Sequence, residues 1–242
     1  MKRLILASLC VLLFAAGSAW ADLIDLPVKW SQVPWDPDGA DYLSDCLGGT
    51  GQGQVIADDF LCLIPEPIVA VRWWGSYKHE KEPRDDGWTG PFDISFHNSL
   101  GPHPGSLPVP GPPITMYTVN AQEVFVGFDN SGEPVYRYDA YLTDAAGAQE
   151  PFDQWRYSQD QRYNIGELFI DICKPTLQNW GWHEVAATHP ILDYAVAAPT
   201  HGGPWGRAGC GTDMAFELMV LPEPTTIGLL GLGSLVLLRK RR

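Results

Sequence analysis

Apolar residues along the chain fall into short runs and two-residue alternations, with no sustained helical stripe. Gln54 to Cys62 and Ile68 to Tyr77 are apolar runs separated by Pro65-Glu66-Pro67. Phe92, Ile94 and Phe96 alternate with Asp93, Ser95 and His97, the pattern of a strand with one face buried. Leu168, Ile170 and Ile172 alternate with Phe169, Asp171 and Cys173, and Met214, Phe216 and Leu218 with Ala215, Glu217 and Met219. Val124–Phe128 and Val135–Leu142 flank Asp129-Asn130-Ser131-Gly132, a hairpin signal. With 25 glycines and 21 prolines breaking any long helical period, this density of short strands predicts an all-β body, a β-sandwich of jelly-roll type. The Pro/Gly-rich stretch from Leu100 to Pro113 reads as a surface loop.

The two ends follow other rules. Lys2-Arg3 precedes an apolar stretch from Leu4 to Ala16, and Gly17-Ser18-Ala19-Trp20-Ala21 supplies an A-x-A site. Residues 1–21 therefore read as a secretory signal peptide cut after Ala21, with an uncleaved anchor as the alternative. Cys10 lies inside the apolar run, which does not fit a lipoprotein signal. Residues 221–242 carry Pro222-Glu223-Pro224, then the apolar stretch Ile227–Leu238, then Arg239-Lys240-Arg241-Arg242. The prolines hold the chain extended. The apolar stretch, expected to be a short hydrophobic helix, falls short of the about 20 residues that span a bilayer. The basic cluster stays cytoplasmic by the positive-inside rule. This three-part tail resembles the PEP-CTERM sorting signal of bacterial exported proteins. The resemblance implies processing by an exosortase at the Pro-Glu-Pro segment and a transient stay in the inner membrane through the tail helix. The destination it implies is the cell surface or the extracellular matrix. An ordinary C-terminal membrane anchor is the other reading of the same residues.

Between the ends lies one body, residues 22–220. Six of the 16 basic residues and only one of the 29 acidic ones lie in the ends, which leaves the body a formal charge of −18. Such a surface repels nucleic acid and anionic membrane. Four cysteines remain: Cys46, Cys62, Cys173 and Cys210. Export places them where thiols oxidise, and proximity in sequence favours Cys46–Cys62 and Cys173–Cys210 among three connectivities. No C-x-x-C spacing points to zinc.

The phrases IADDFLC (56–62), VRWWGSY (71–77), FDISFH (92–97), WGWHE (180–184) and TDMAFEL (212–218) resemble, in this order, a domain family of exported bacterial proteins that often carry the same tail. That resemblance implies architecture and location, and no functional residue.

Candidate chemistry is sparse. Asp36, Asp38, Asp41 and Asp45 surround Gly39, hard oxygen donors that suit Ca²⁺, although the EF-hand pattern is not met. The alternative is a solvated acidic turn. One residue of Asp58-Asp59 should point inward, to a hydrogen-bond partner or a metal. His183-Glu184 and His189 lack the four-residue spacing of a zinc-protease helix. No nucleophile elbow and no phosphate-binding loop occurs. Nine tryptophans lie in the body. Of these, Trp73, Trp74, Trp88 and Trp182 are candidates for stacking on sugar rings, against core packing. The expected function is a non-catalytic surface or matrix protein associated with exopolysaccharide. The alternative is a secreted carbohydrate-active hydrolase.

Overall fold

The computed structural model describes residues 26–34, 39–46, 53–84, 88–101, 108–144, 146–158, 166–176, 179–185, 194–208 and 212–222. They form β1 (Val28–Gln32), β2 (Asp41–Leu43), β3 (Val55–Leu61), β4 (Ile68–Tyr77), β5 (Trp88–Leu100), β6 (Val109–Phe128) and β7 (Pro134–Tyr141). A single helical turn, α1 (Gln154–Ser158), precedes β8 (Glu167–Cys173), β9 (Trp180–His183), β10 (Val196–Ala198), β11 (Gly206–Arg207) and β12 (Phe216–Val220).

All twelve strands belong to one sheet, in the order β1-β12-β4-β7-β6-β5-β8-β3-β10-β11, with β9 pairing both β4 and β2. The strand pairs are antiparallel throughout. The all-β expectation holds, but the jelly-roll sandwich of two separate sheets does not form. Instead one sheet curls until its two wings face each other. Phe60 on β3 packs edge-on against Phe216 on β12 at 6.5 Å, although five strands separate them in the sheet. The long β5 and β6 pair with register shifts at Thr89/Phe92, Phe96/His97 and His97/Ser99. Such irregularities raise local twist. The expected loop at 100–113 is corrected in part: Pro113 pairs His97, Pro110 pairs Ser99 and Val109 pairs Leu100. Prolines sit here where the ladder is already broken by the shifts, which is where a missing N–H costs least.

The sheet also closes on itself. β9 runs beside the second half of β4 (Gly75↔Trp182, Ser76↔Gly181, Tyr77↔Trp180) and carries β2 on its other edge. The chain after β2 then reaches β8: Cys46 N–H donates to Lys174 O at 3.1 Å, and Lys174 N–H donates to Ser44 O at 2.9 Å. Asp45 pairs Gln54 on one side and Lys174 on the other. This seam returns the pairing from β8 through β2 and β9 to β4.

Inside the curl lies one aromatic core. Trp73 stacks on Tyr138 at 5.5 Å and meets Phe92 edge-on at 5.1 Å. Phe92 in turn meets Trp180 at 5.0 Å, and Phe96 stacks on Phe152 at 4.2 Å. The inward residues are those of the sequence alternation: Phe92, Ile94 and Phe96 from β5, and Ile170 and Ile172 from β8. On the outer face of the other wing, Arg72 bridges Asp139 (2.6 Å) and Glu217 (3.0 Å), its direct partners on β7 and β12. The hairpin signal is realised: Asp129 Oδ1 accepts the Ser131 and Glu133 amides, and Gly132 takes φ 72°.

Among the described residues no helix is long and apolar enough to cross a membrane. The expected C-terminal hydrophobic helix falls on residues outside the described set, as does the signal peptide.

β4 and β9 approach closely at Gly75. A Cβ there would lie 2.4 Å from Gly181 O and 2.6 Å from the Trp180 ring. Gly75→Ala should lower the unfolding free energy by about 1–3 kcal/mol or more through overpacking. Gly206→Ala, where nothing lies within 4 Å, should stay within about 0.5 kcal/mol of the parent. Urea denaturation of the two variants checks the contrast, and equal effects would show that the strands have room to part.

Candidate functional site

The richest polar constellation lies on the outer face of β5 and β8. It is built from the polar half of the two alternations. With Phe92, Ile94 and Phe96 turned inward, Asp93, Ser95 and His97 face out, and beside them stand Cys173, Asp171 and Phe169 of β8. The register sets Asp93 opposite Cys173, Ser95 opposite Asp171, and His97 opposite Phe169. The segment between β10 and β11 lies over this face. It brings in His201, and Trp205, which packs with Ala57, Phe169 and Val196 and meets His97 edge-on at 5.7 Å.

Asp171 is the hub and is fully buried. Its Oδ2 lies 2.7 Å from His97 Nε2 and its Oδ1 2.8 Å from His201 Nδ1. His97 Nδ1 lies 2.8 Å from the Gly111 carbonyl. A carbonyl only accepts, so Nδ1 donates there, and the contact with Asp171 needs a further proton between its two atoms. Ser95 Oγ lies 3.2 Å from His201 Nδ1. His201 is held above the ordinary histidine range: burial opposes the charged ring, but the hydrogen bond and charge of Asp171, with the charge of Asp93, outweigh it.

Nε2, the other nitrogen of His201, lies 3.4 Å from Cys173 Sγ. Cys173 is bonded to Cys46, with Cα atoms 5.5 Å apart. This corrects the pairing by sequence proximity. Cys46 and Cys173 are 127 residues apart, yet the seam makes them neighbours. Cys62 is a buried free thiol, and Cys210 lies outside the described residues. Two sulfurs and an imidazole nitrogen lie within 4.8 Å of one another. Both sulfurs are committed to the S–S bond, so neither is the thiolate a soft metal takes. The set also differs from the oxygen cage of Ca²⁺.

The orientation of His201 bears on catalysis. In a nucleophile–histidine–carboxylate relay the nucleophile sits at one ring nitrogen and the carboxylate at the other. Asp171 occupies Nδ1, and the place of the nucleophile at Nε2 is held by Cys173, masked as a disulfide. Ser95 shares Nδ1 with Asp171 and is not in the activated position.

The other candidates are dispersed. Asp41 accepts from His183 Nδ1 (2.8 Å) and from Ser76 Oγ, and Asp45 accepts the Trp180 amide at 3.1 Å. Asp36 and Asp38 lie outside the described residues. Trp73 and Trp182 are 0 % exposed and Trp74 is 8 %. This is a correction, because stacking on a sugar needs a free ring face, and these strands are covered on both sides. The backbone of Trp88 opens β5 and its side chain is not described. Pro222 is exposed. Ala21, Glu223, Pro224, Arg239, Lys240, Arg241 and Arg242 are outside the described residues. Asp58 and Asp59 are both buried, against the expectation of one inward. β3 has β8 on one edge and β10 on the other, and its outward Ala57 is covered by Trp205 and Phe169. Asp58 Oδ2 accepts the Met214 amide at 2.7 Å, while Oδ1 has no hydrogen-bond partner.

Residues 28–219 match the family described as Domain of unknown function (DUF7901), and the chain belongs to it. Residues 220–242 match the PEP-CTERM protein-sorting motif. No curated protein and no solved structure matches the chain.

Asp58 yields a pH dependence. Burial raises its carboxyl well above the usual range, and the charges of Asp59 and Asp213 add to this against the Met214 amide. A folded-state value above the unfolded one means the folded protein binds more protons. That stabilisation is complete below the ordinary carboxylate range and is lost as pH rises through the raised value. Asp58→Asn keeps an acceptor for Met214 and removes the charge. The variant should gain about 1 kcal/mol or more relative to the parent between pH 4 and pH 8. Parallel pH–stability curves from urea titrations would refute it.

Proposed function

We propose that this member of the DUF7901 family is a non-catalytic, cross-linked β body carried to the cell surface or matrix by its sorting tail. One observation carries the reading: the sorting motif at residues 220–242 begins where the family domain ends at residue 219. Export of a protein with this motif is the part the comparison supplies. Recognition and cutting by an exosortase, a membrane stay of the apolar segment Ile227–Leu238 before that cut, and association with exopolysaccharide are the reading built on it. The masked sulfur at His201 Nε2 supports a binding or structural role over turnover.

For a polysaccharide partner the surface offers aromatics other than those the sequence suggested. Trp155 is 41 % exposed, and Phe125 and Phe128 stand 5.2 Å apart on the outer part of β6 with 41 % and 44 % exposed. A body of charge −18 disfavours acidic polymers. A neutral glycan avoids this cost.

Intact mass of the cell-surface protein tests the sorting. The expected species begins at Asp22 and ends near Pro222-Glu223-Pro224, and material retaining Arg239–Arg242 would overturn the tail processing. Incubation with the producer's own polysaccharide tests the partner. Saturable binding without new reducing ends, weakened several-fold by Trp155→Ala or Phe125→Ala, is the expected result. Release of reducing ends abolished by one Asp or Glu substitution would establish the hydrolase instead.

A further inference from the structure

We propose that the Cys46–Cys173 disulfide is an addressable thiol-exchange site, in which external thiols attack Cys46 and His201, positioned by Asp171, protonates the departing Cys173 sulfur. The two sulfurs differ in access and in charge, and both differences point the same way. Cys46 is partly exposed and Cys173 is fully buried, so an incoming thiolate reaches Cys46. Asp93 Oδ2 lies 3.9 Å from Cys46 Sγ, and a carboxylate beside a sulfur disfavours a thiolate there. His201 Nε2 lies 3.4 Å from Cys173 Sγ, and an imidazolium beside a sulfur favours a thiolate. A leaving sulfur of lower pKa departs faster.

An external thiolate forms a bond to Cys46 Sγ while the S–S bond breaks. The electron pair goes to Cys173 Sγ, which takes the proton from His201 Nε2, leaving a mixed disulfide on Cys46 and a thiol at Cys173. A second external thiolate attacks the external sulfur of that mixed disulfide, and Cys46 leaves as a thiolate protonated by solvent. The thiol pair is oxidised to its own disulfide and the protein disulfide is reduced to two thiols.

The surroundings of His201 suit the role. Asp171 from β8 fixes Nδ1 at 2.8 Å and is itself held by His97 from β5. Ser95 and Asp93, also on β5, are the other polar groups that face it. Against the burial of the ring, the hydrogen bond and charge of Asp171 and the charge of Asp93 favour its protonated form. The site sits on the seam, so its opening removes the covalent tie between the segment after β2 and β8, and leaves the hydrogen bonds of Ser44 and Cys46 to Lys174 and of Ser44 Oγ to the Ile172 carbonyl.

The test uses the oxidised full chain and reduced glutathione as the probe. After brief exposure and acid quenching, peptide mass should place glutathione on Cys46. Adduct on Cys173 would overturn the proposal, in the unaltered chain and independently of any variant. Reduction rates of the parent and His201→Gln are then compared from pH 6 to pH 9. The parent should be about tenfold faster at pH 6, and the two should converge as His201 loses its proton. Rates equal within twofold at every pH would overturn it, as would a parent rate that rises only when denaturant unfolds the chain. Asp93→Asn should not slow the reaction, whereas a purely structural effect of altering this face would slow all variants alike.

Discussion

Residues 44–46 meet Lys174, and that short contact turns an open sheet into a closed one. Three backbone hydrogen bonds and one covalent bond share the work. Ser44 N–H donates to Trp180 O, Cys46 N–H to Lys174 O, and Lys174 N–H to Ser44 O, while Cys46 is bonded to Cys173. The Asp45 carboxylate, pushed up to about 6 by burial against the pull of the Trp180 and Asn179 amides and of Lys174, ties the same segment to the start of β9. Beneath it, the Lys174 ammonium lies 4.1 Å over the Phe92 ring, so a charge with almost no solvent gains a cation–π contact in the core. The disulfide spans a separation of 127 residues. In the chain-entropy model, cross-linking over such a distance is worth roughly 5 kcal/mol, a large fraction of an ordinary domain's stability.

Many strands of the closed sheet are covered on both faces. An isolated curled sheet would bury its concave face and wet its convex one. Here the segment from β10 to β11 lies over the outer face of β3 and β8, with Trp205 on Ala57, Phe169 and Val196. On the other wing Val69, Ala70 and Met219 pack with Leu26 and Tyr141. Polar groups trapped on these covered faces must pair with each other. Arg72 with Asp139 and Glu217, and Asp171 with His97 and His201, are two solutions to that one constraint. The first is spread along a row of directly opposed residues. The second converges on a single carboxylate and leaves one imidazole nitrogen turned to a disulfide.

Part of this was legible in the sequence. The alternation at 92–97 and at 168–173 gave the strands and their inward residues; its other half holds Asp93, Ser95, His97, Asp171 and Cys173, but nothing in their spacing marked them as one site. The tail gave the sorting motif. What a single sequence does not encode locally is which strands become neighbours. Pairing Cys46 with Cys173 depends on β2 reaching β8 across the curl, and sequence proximity pointed elsewhere. His201 had no signal of its own, because a histidine in a Gly/Pro-rich segment acquires a role only once that segment lies over β5 and β8. The tryptophans misled for a related reason. A Trp beside a glycine suits an exposed turn, but Gly181 is needed because β2 and β9 pack closely: a Cβ there would meet Asp41 Cβ at 2.8 Å. The glycine marks crowding around Trp180 and Trp182, and both rings are core.

Location and stability are linked through the same bond. The disulfide persists only in an oxidising compartment, so the covalent part of the seam belongs to the exported form of the chain. Without the cross-link the seam rests on a few hydrogen bonds around a buried lysine and a raised carboxyl, and the fold also carries Asp58, whose ionised form burial disfavours. Export therefore changes the protein as well as its address: it supplies the cross-link that offsets the buried charges. The same cross-link, because it faces His201 on one side and is partly open at Cys46 on the other, is the point through which the redox state outside the cell reaches the fold.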